Sequence, residues 1–195
     1  TESIGNGNLR VSFTFNREAT PNPLFVSYDF EIKKLNTGDY EMDMKGAIPF
    51  MSMYMGDHIE AIYTGSHLKY PNLPIIGQEL AAALGVFKLK NKQNQEDFLT
   101  YEVSVFNRKI EGKETFSIQG QDYSAYLHTY TFSQTTILND GRTLSTNQEE
   151  VKEWLVPNYG LIKQDRQSIC SMLAIDGREK ESLQVYSLSK LLSIQ

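Results

Sequence analysis

Cysteine is the scarcest chemistry in this chain: Cys170 stands alone among 195 residues. A lone thiol excludes an internal disulfide and any zinc cluster built on thiolates. Cationic blocks are missing too. The formal charge is −5, with no run of Lys and Arg, so the electrostatic footprint of a nucleic-acid or anionic-membrane binder is absent. No stretch of about 18 apolar residues exists to cross a bilayer as a helix. Histidine is limited to His58, His67 and His128, without the His-x-x-x-His or Glu-x-x-His spacing of a metal site. Nor is there a Gly-x-Ser-x-Gly elbow, a phosphate loop or a dinucleotide fingerprint. The first residue is Thr1 rather than Met, and we expect an upstream segment, either a signal peptide or a lipid-attachment cysteine.

What is present is strand-forming sequence. Aromatics make up 11%, with eleven Tyr and ten Phe, residues that favour pleated surfaces. Thr1 to Asn8 is polar and reads as a loose lead-in. Leu9, Val11, Phe13 and Phe15 then alternate with polar residues, as do Val26, Tyr28, Phe30 and Ile32. Asn36-Thr37-Gly38-Asp39 turns that second strand into a hairpin with Tyr40, Met42 and Met44. Met51, Met53 and Met55 share one strand face, as do Ile59, Ala61 and Tyr63. Phe87 and Leu89 alternate with lysines, Asn91 to Asp97 is an exposed turn, and Phe98 to Phe106 is a clean strand. Lys109 to Ile118 continues as an edge strand bent at Gly112, and Tyr123 to Phe132, apolar on both sides, reads as central.

The late part is organised by Val151 to Lys163. Trp154, the only tryptophan, precedes a corner in which Pro157 ends one strand, while Asn158 and Gly160 permit the reversal. Asp140-Gly141 and Asp176-Gly177 carry the signal of two-residue hairpins. Leu161 to Ile175 and Leu183 to Leu188 are the final strands. Gln78 to Leu84 is the best helix candidate, at two turns. These signals predict a single all-β domain over 1–195: an antiparallel curled sheet forming a half-barrel or barrel, with at most one or two short helices.

Three stretches carry sequence resemblance. Tyr70-Pro71-Asn72-Leu73 precedes Ile76-Gly77-Gln78-Glu79-Leu80, Asn107-Arg108-Lys109-Ile110-Glu111-Gly112-Lys113-Glu114 follows, and Trp154 to Lys163 closes the set. In these the chain resembles the TapB-like domain-of-unknown-function family of exported Bacteroidetes proteins. It departs from that pattern at Gln78, where Asp is common, and at Gln119-Gly120-Gln121-Asp122-Tyr123, where the family has Pro-Ala-Gly-Thr-Phe. The resemblance implies a barrel or half-barrel in the cell envelope, periplasmic or anchored to the outer membrane, and supplies no catalytic residue.

The candidate chemistry is thin. Met-x-Met-x-Met at 51–55 places three thioethers on one side, a soft Cu(I) arrangement, but methionine more often fills an irregular core or lines an apolar surface. Cys170 with His128 would make a nucleophilic dyad only if the fold joined them, and its apolar strand context suits an inert thiol. Glu111 and Glu114, and the group Glu149, Glu150 and Glu153, read as solvated edge charge. Arg108 is expected to pair with Glu111 or Glu114 rather than with an anionic head group.

We therefore expect a non-catalytic envelope protein whose curled sheet holds a lipid-like or other apolar or amphipathic molecule. Met51, Met53, Met55, Trp154 and Tyr126 are its expected contacts, and no metal or cofactor is expected. The alternative is a structural adaptor acting through contacts with other envelope proteins.

Overall fold

The computed structural model describes residues 2–5, 8–16, 25–42, 44, 59–157, 160–173 and 179–190. Among the described residues thirteen antiparallel strands make two sheets, and no α-helix occurs. The smaller sheet orders β1 (Glu2–Gly5), β2 (Asn8–Asn16), β3 (Phe25–Lys34), β4 (Tyr40–Met42) and β6 (Leu68–Tyr70). The larger one runs β13 (Glu179–Lys190), β12 (Gly160–Leu173), β11 (Thr143–Val156), β10 (Gln121–Leu138), β9 (Asp97–Ile118), β8 (Ala83–Asn91) and β5 (Ile59–Gly65). The two-residue β7 (Glu79–Leu80) pairs with β9 beyond the end of β8.

The larger sheet ends on β13 and β5, so of the two anticipated forms the open one is realised and the closed barrel is not. Two local expectations are corrected. Glu2–Gly5 is no loose lead-in but a strand paired with Leu9 and Arg10. Gln78 to Leu84 is not helical: Glu79 and Leu80 join Lys109 and Arg108, and Ala83 begins β8. Two turns of helix hold too few hydrogen bonds to repay nucleation, whereas the sheet edge offers partners at once.

Turns follow local chemistry. Gly38, with φ of 89°, closes the β3–β4 hairpin through Gly38 N–H to Leu35 O at 2.9 Å. At Asp140-Gly141 the connection is four residues long rather than two, with Gly141 at φ 82° and its N–H on Leu138 O. The tight two-residue reversal falls instead at Gln119-Gly120, where both residues take positive φ (53° and 79°) between the paired Ile118 and Gln121. The 174–178 turn, the Met51–Met55 strand, and Asn158 and Tyr159 of the Pro157 corner lie outside the described residues. β11 does stop at Val156, just before Pro157.

The core lies where the sheets meet. Phe87 and Leu89 of β8, Tyr101, Val103 and Val105 of β9, and Tyr130 and Phe132 of β10 pack with Met44 and Leu68 from the smaller sheet's side. In β8 Phe87 and Leu89 are buried between the outward-facing Lys88 and Lys90, as the sequence predicts. Gly85 sits directly beneath Tyr63, and a Cβ there would overlap the ring. Tyr63 is held in turn by Phe87, with ring centroids 4.7 Å apart, and by a hydroxyl bond to Ser66 O. Gly85→Ala should therefore lower stability by about 1–3 kcal/mol through overpacking. Urea melts would show this as a shifted midpoint at unchanged slope.

Candidate functional site

Alternation fixes which side chains share a face. His128, Tyr130, Phe132 and Gln134 of β10 stand opposite Glu153, Val151, Glu149 and Asn147 of β11. The latter four stand opposite Gln164, Arg166, Ser168 and Cys170 of β12. All twelve positions lie on the face that carries the core.

A chain of polar bonds runs along this face. Glu153 accepts from the Tyr130 hydroxyl and from Gln164 Nε2, both at 2.7 Å, and from His128 Nδ1 at 3.3 Å. Gln164 Oε1 accepts from Arg166 Nε at 2.9 Å, and Arg166 Nη1 reaches Glu149 at 2.7 Å. Asn147 completes the row on the other oxygen of Glu149, also at 2.7 Å. Glu149, Glu153 and His128 are all buried. A buried carboxylate is tolerable only with its charge and lone pairs answered, which this row does.

Burial alone would raise the carboxyl pKa of Glu153. The hydrogen bond from His128 and its charge, the Tyr130 hydroxyl and the Arg166 guanidinium outweigh it and hold Glu153 below the ordinary value. Tyr130 is pushed well above the usual phenol range, by burial first and then by the charge of Glu153. Tyr70 shifts the same way, burial again being the main cause.

The row ends at Tyr70 of β6, whose ring stands edge-on to His128 at 5.5 Å and lies 4.9 Å from the Arg108 guanidinium. Arg108 reaches this face through a β-bulge. Thr129 pairs with Lys109 and Thr131 with Phe106, so Asn107 and Arg108 together oppose Tyr130. Asn107 takes φ of 53°, a conformation Asn tolerates, and the extra residue turns Arg108 inward. Arg108 is 2% exposed and donates to Lys69 O at 2.9 Å and Ala81 O at 2.8 Å. Its Nε and His128 Nε2 are buried without a hydrogen-bond partner. Both atoms belong to residues that contact the Tyr70 ring.

Several expectations change here. Arg108 does not pair with Glu111 or Glu114; Lys109 takes Glu111 at 3.0 Å. Glu149 and Glu153 are not solvated edge charge, although Glu150 is exposed. Cys170 shares the face of His128 but lies six positions along β12 from Gln164, the residue in line with it, which is about 20 Å and too far for a dyad. Met51, Met53 and Met55 lie outside the described residues. Tyr126 is on the His128 face, beneath Lys113 Nζ at 5.0 Å. Trp154 pairs with Leu127 on the opposite face. There it packs with Ile118, Ala125, Val156 and Ile162, with Lys163 Nζ 3.8 Å from its ring centroid. The structure therefore does not bring Tyr126 and Trp154 together. Among the described residues no three His, Cys, Asp or Glu side chains cluster as metal ligands.

The network residues from Arg108 to Arg166 all fall within the span 13–168 that matches the DUF3108-like family model. The chain belongs to the DUF3108-like family. That match does not carry the TapB-like name anticipated from the sequence. Among curated proteins none matches. Two solved structures share the fold seen here. One is a Bacteroides fragilis protein described as exported with a YmcC-like fold: 18% identity, 94% of this chain and 80% of that one, TM-score 0.52. The other, from Parabacteroides distasonis, is described as a lipoprotein: 15% identity, 93% and 79% coverage, TM-score 0.54.

Proposed function

We propose that this DUF3108-like chain is a non-catalytic, exported cell-envelope protein that cradles an amphipathic molecule on the inner face of its larger sheet. One observation carries the reading. On that face an apolar core of β8, β9, Tyr130, Phe132 and Val151 adjoins a buried polar row, and Tyr70 stands close to Arg108 and His128, each with a buried, unpartnered nitrogen. Buried polar atoms normally have partners, and an amphiphile's hydroxyl or carboxylate would supply one. Its hydrocarbon part would lie toward the apolar half, with Met51, Met53 and Met55 as proposed additional contacts and Tyr126 farther along the polar side. The exported character draws support from the two structural neighbours, each described as exported or as a lipoprotein.

Native mass spectrometry of protein purified without detergent tests this. The expected result is one equivalent of an extractable amphiphile, lost in Arg108→Met. A bare protein mass, together with no uptake of added long-chain fatty acid or lysophospholipid, would end the proposal.

A further inference from the structure

Arg108 is a buried cation without a counter-ion. Its guanidinium donates to the carbonyls of Lys69 and Ala81 and lies against the Tyr70 ring, while its Nε–H has no acceptor. Among the described residues no carboxylate pairs with it: Glu149 is taken by Arg166 and Glu153 by His128. Buried charges are normally paired, and two neutral carbonyls with a ring face do not cancel a full positive charge.

The second unanswered nitrogen lies close to the first. His128 pairs with Ile110, which makes Arg108 its diagonal neighbour on β9, with Cα atoms roughly 7–8 Å apart. Both side chains face the inner side of the sheet, and both contact Tyr70. The ionised Glu153 can only accept, so its bond to His128 keeps a proton on Nδ1. Nε2 is then a lone pair on a neutral ring and a second donor on a protonated one. With the ring protonated, Glu153 and His128 cancel, Glu149 and Arg166 cancel, and the charge of Arg108 is left over.

We infer that the polar end of the cradled molecule is a single carboxylate, seated on Arg108 Nε–H with protonated His128 as its second donor. This rests on the amphiphile reading above and names its head group. One negative charge neutralises the buried face, whereas a hydroxyl would leave the guanidinium uncompensated. Charge-assisted bonds to an oxyanion are also the stronger kind. The apolar core that adjoins the row suits an aliphatic chain, so the ligand class is a long-chain monocarboxylic acid.

Calorimetric titration of delipidated wild-type protein with laurate and with dodecanol tests the head group against the cradle. Both should bind one per chain, laurate about tenfold to hundredfold more tightly, which is the usual advantage of a hydrogen bond to a charged group. In a second measurement, laurate labelled with carbon-13 at its carboxyl is followed by NMR as the complex is acidified. The bound carboxyl should remain ionised where half of the free acid is already protonated, because two cationic donors hold it. Dodecanol binding as tight as that of laurate, or a bound carboxyl that protonates together with the free acid, would overturn the carboxylate and leave the cradle standing. Binding of neither compound would refute the cradle, and the carboxylate with it.

Discussion

Glu153→Ala should remove about 3–5 kcal/mol of unfolding free energy near neutral pH, the scale on which breaking a buried charge network acts. The substitution strips the acceptor from Tyr130, Gln164 and His128 at once. Glu153→Gln should lose less, because an amide oxygen in the place of Oε1 still accepts from Tyr130 and Gln164 while its NH2 faces His128 Nδ1. Acid provides the control. Glu153 sits below its ordinary value in the folded protein, so on acidification the unfolded chain takes up the proton first. The contribution is complete above the usual carboxylate range and fades as pH falls toward the folded value. Denaturant melts of wild type and Glu153→Ala should therefore converge as pH falls below the ordinary carboxylate range. An acid-independent gap would show that shape, not charge, is what the variant lost. At the alkaline end the sign reverses: Tyr130 and Tyr70 are raised, so stability holds below the usual phenol value near 10 and falls above it.

Arg108→Ala is the second large effect, again about 3–5 kcal/mol. Both Lys69 O and Ala81 O lose a charge-assisted donor, and Tyr70 loses the cation beside its ring. Arg108→Lys should recover only part, since one ammonium cannot reproduce a planar fork spanning two carbonyls. A local readout separates this from general loosening. Hydrogen exchange at Gly77 and Ile110, whose amides tie the segment between β6 and β7 to β9, should accelerate more than exchange at Val103 or Phe132. Equal acceleration everywhere would deny Arg108 its clamping role.

Much of the architecture was legible because period-two alternation is a direct imprint of a half-buried strand. Phe87 and Leu89, or Val103 and Val105, show the inner face plainly. The ionic half was not, since β11 places Asn147, Glu149 and Glu153 inward, where alternation predicts apolar residues. Only pairing with Gln164 and Arg166, remote in sequence, makes those positions tolerable. The Asn107-Arg108 step shows a middle case. The motif stood out in the sequence, but its meaning depends on a bulge that shifts the inward positions from Val103 and Val105 to Arg108 and Ile110. A register change of one residue is invisible to periodicity and decides where the guanidinium goes. The helix expected at Gln78 to Leu84 failed for a related reason, because an edge of β9 was waiting for Glu79 and Leu80.

From β9 to β13 every strand of the larger sheet bonds to the one just before it in the chain. A polypeptide delivered amino-end first can therefore add each new strand to a finished template, closing only short loops. β5 and β7 are the exceptions: β5 must wait until β8 exists, and β7 until β9 does. Among the described residues the last addition, β13, has β12 as its sole ladder partner. Loss of everything after Leu173 would leave the rest of the meander paired while baring one side of β12, a ready seat for another molecule's strand.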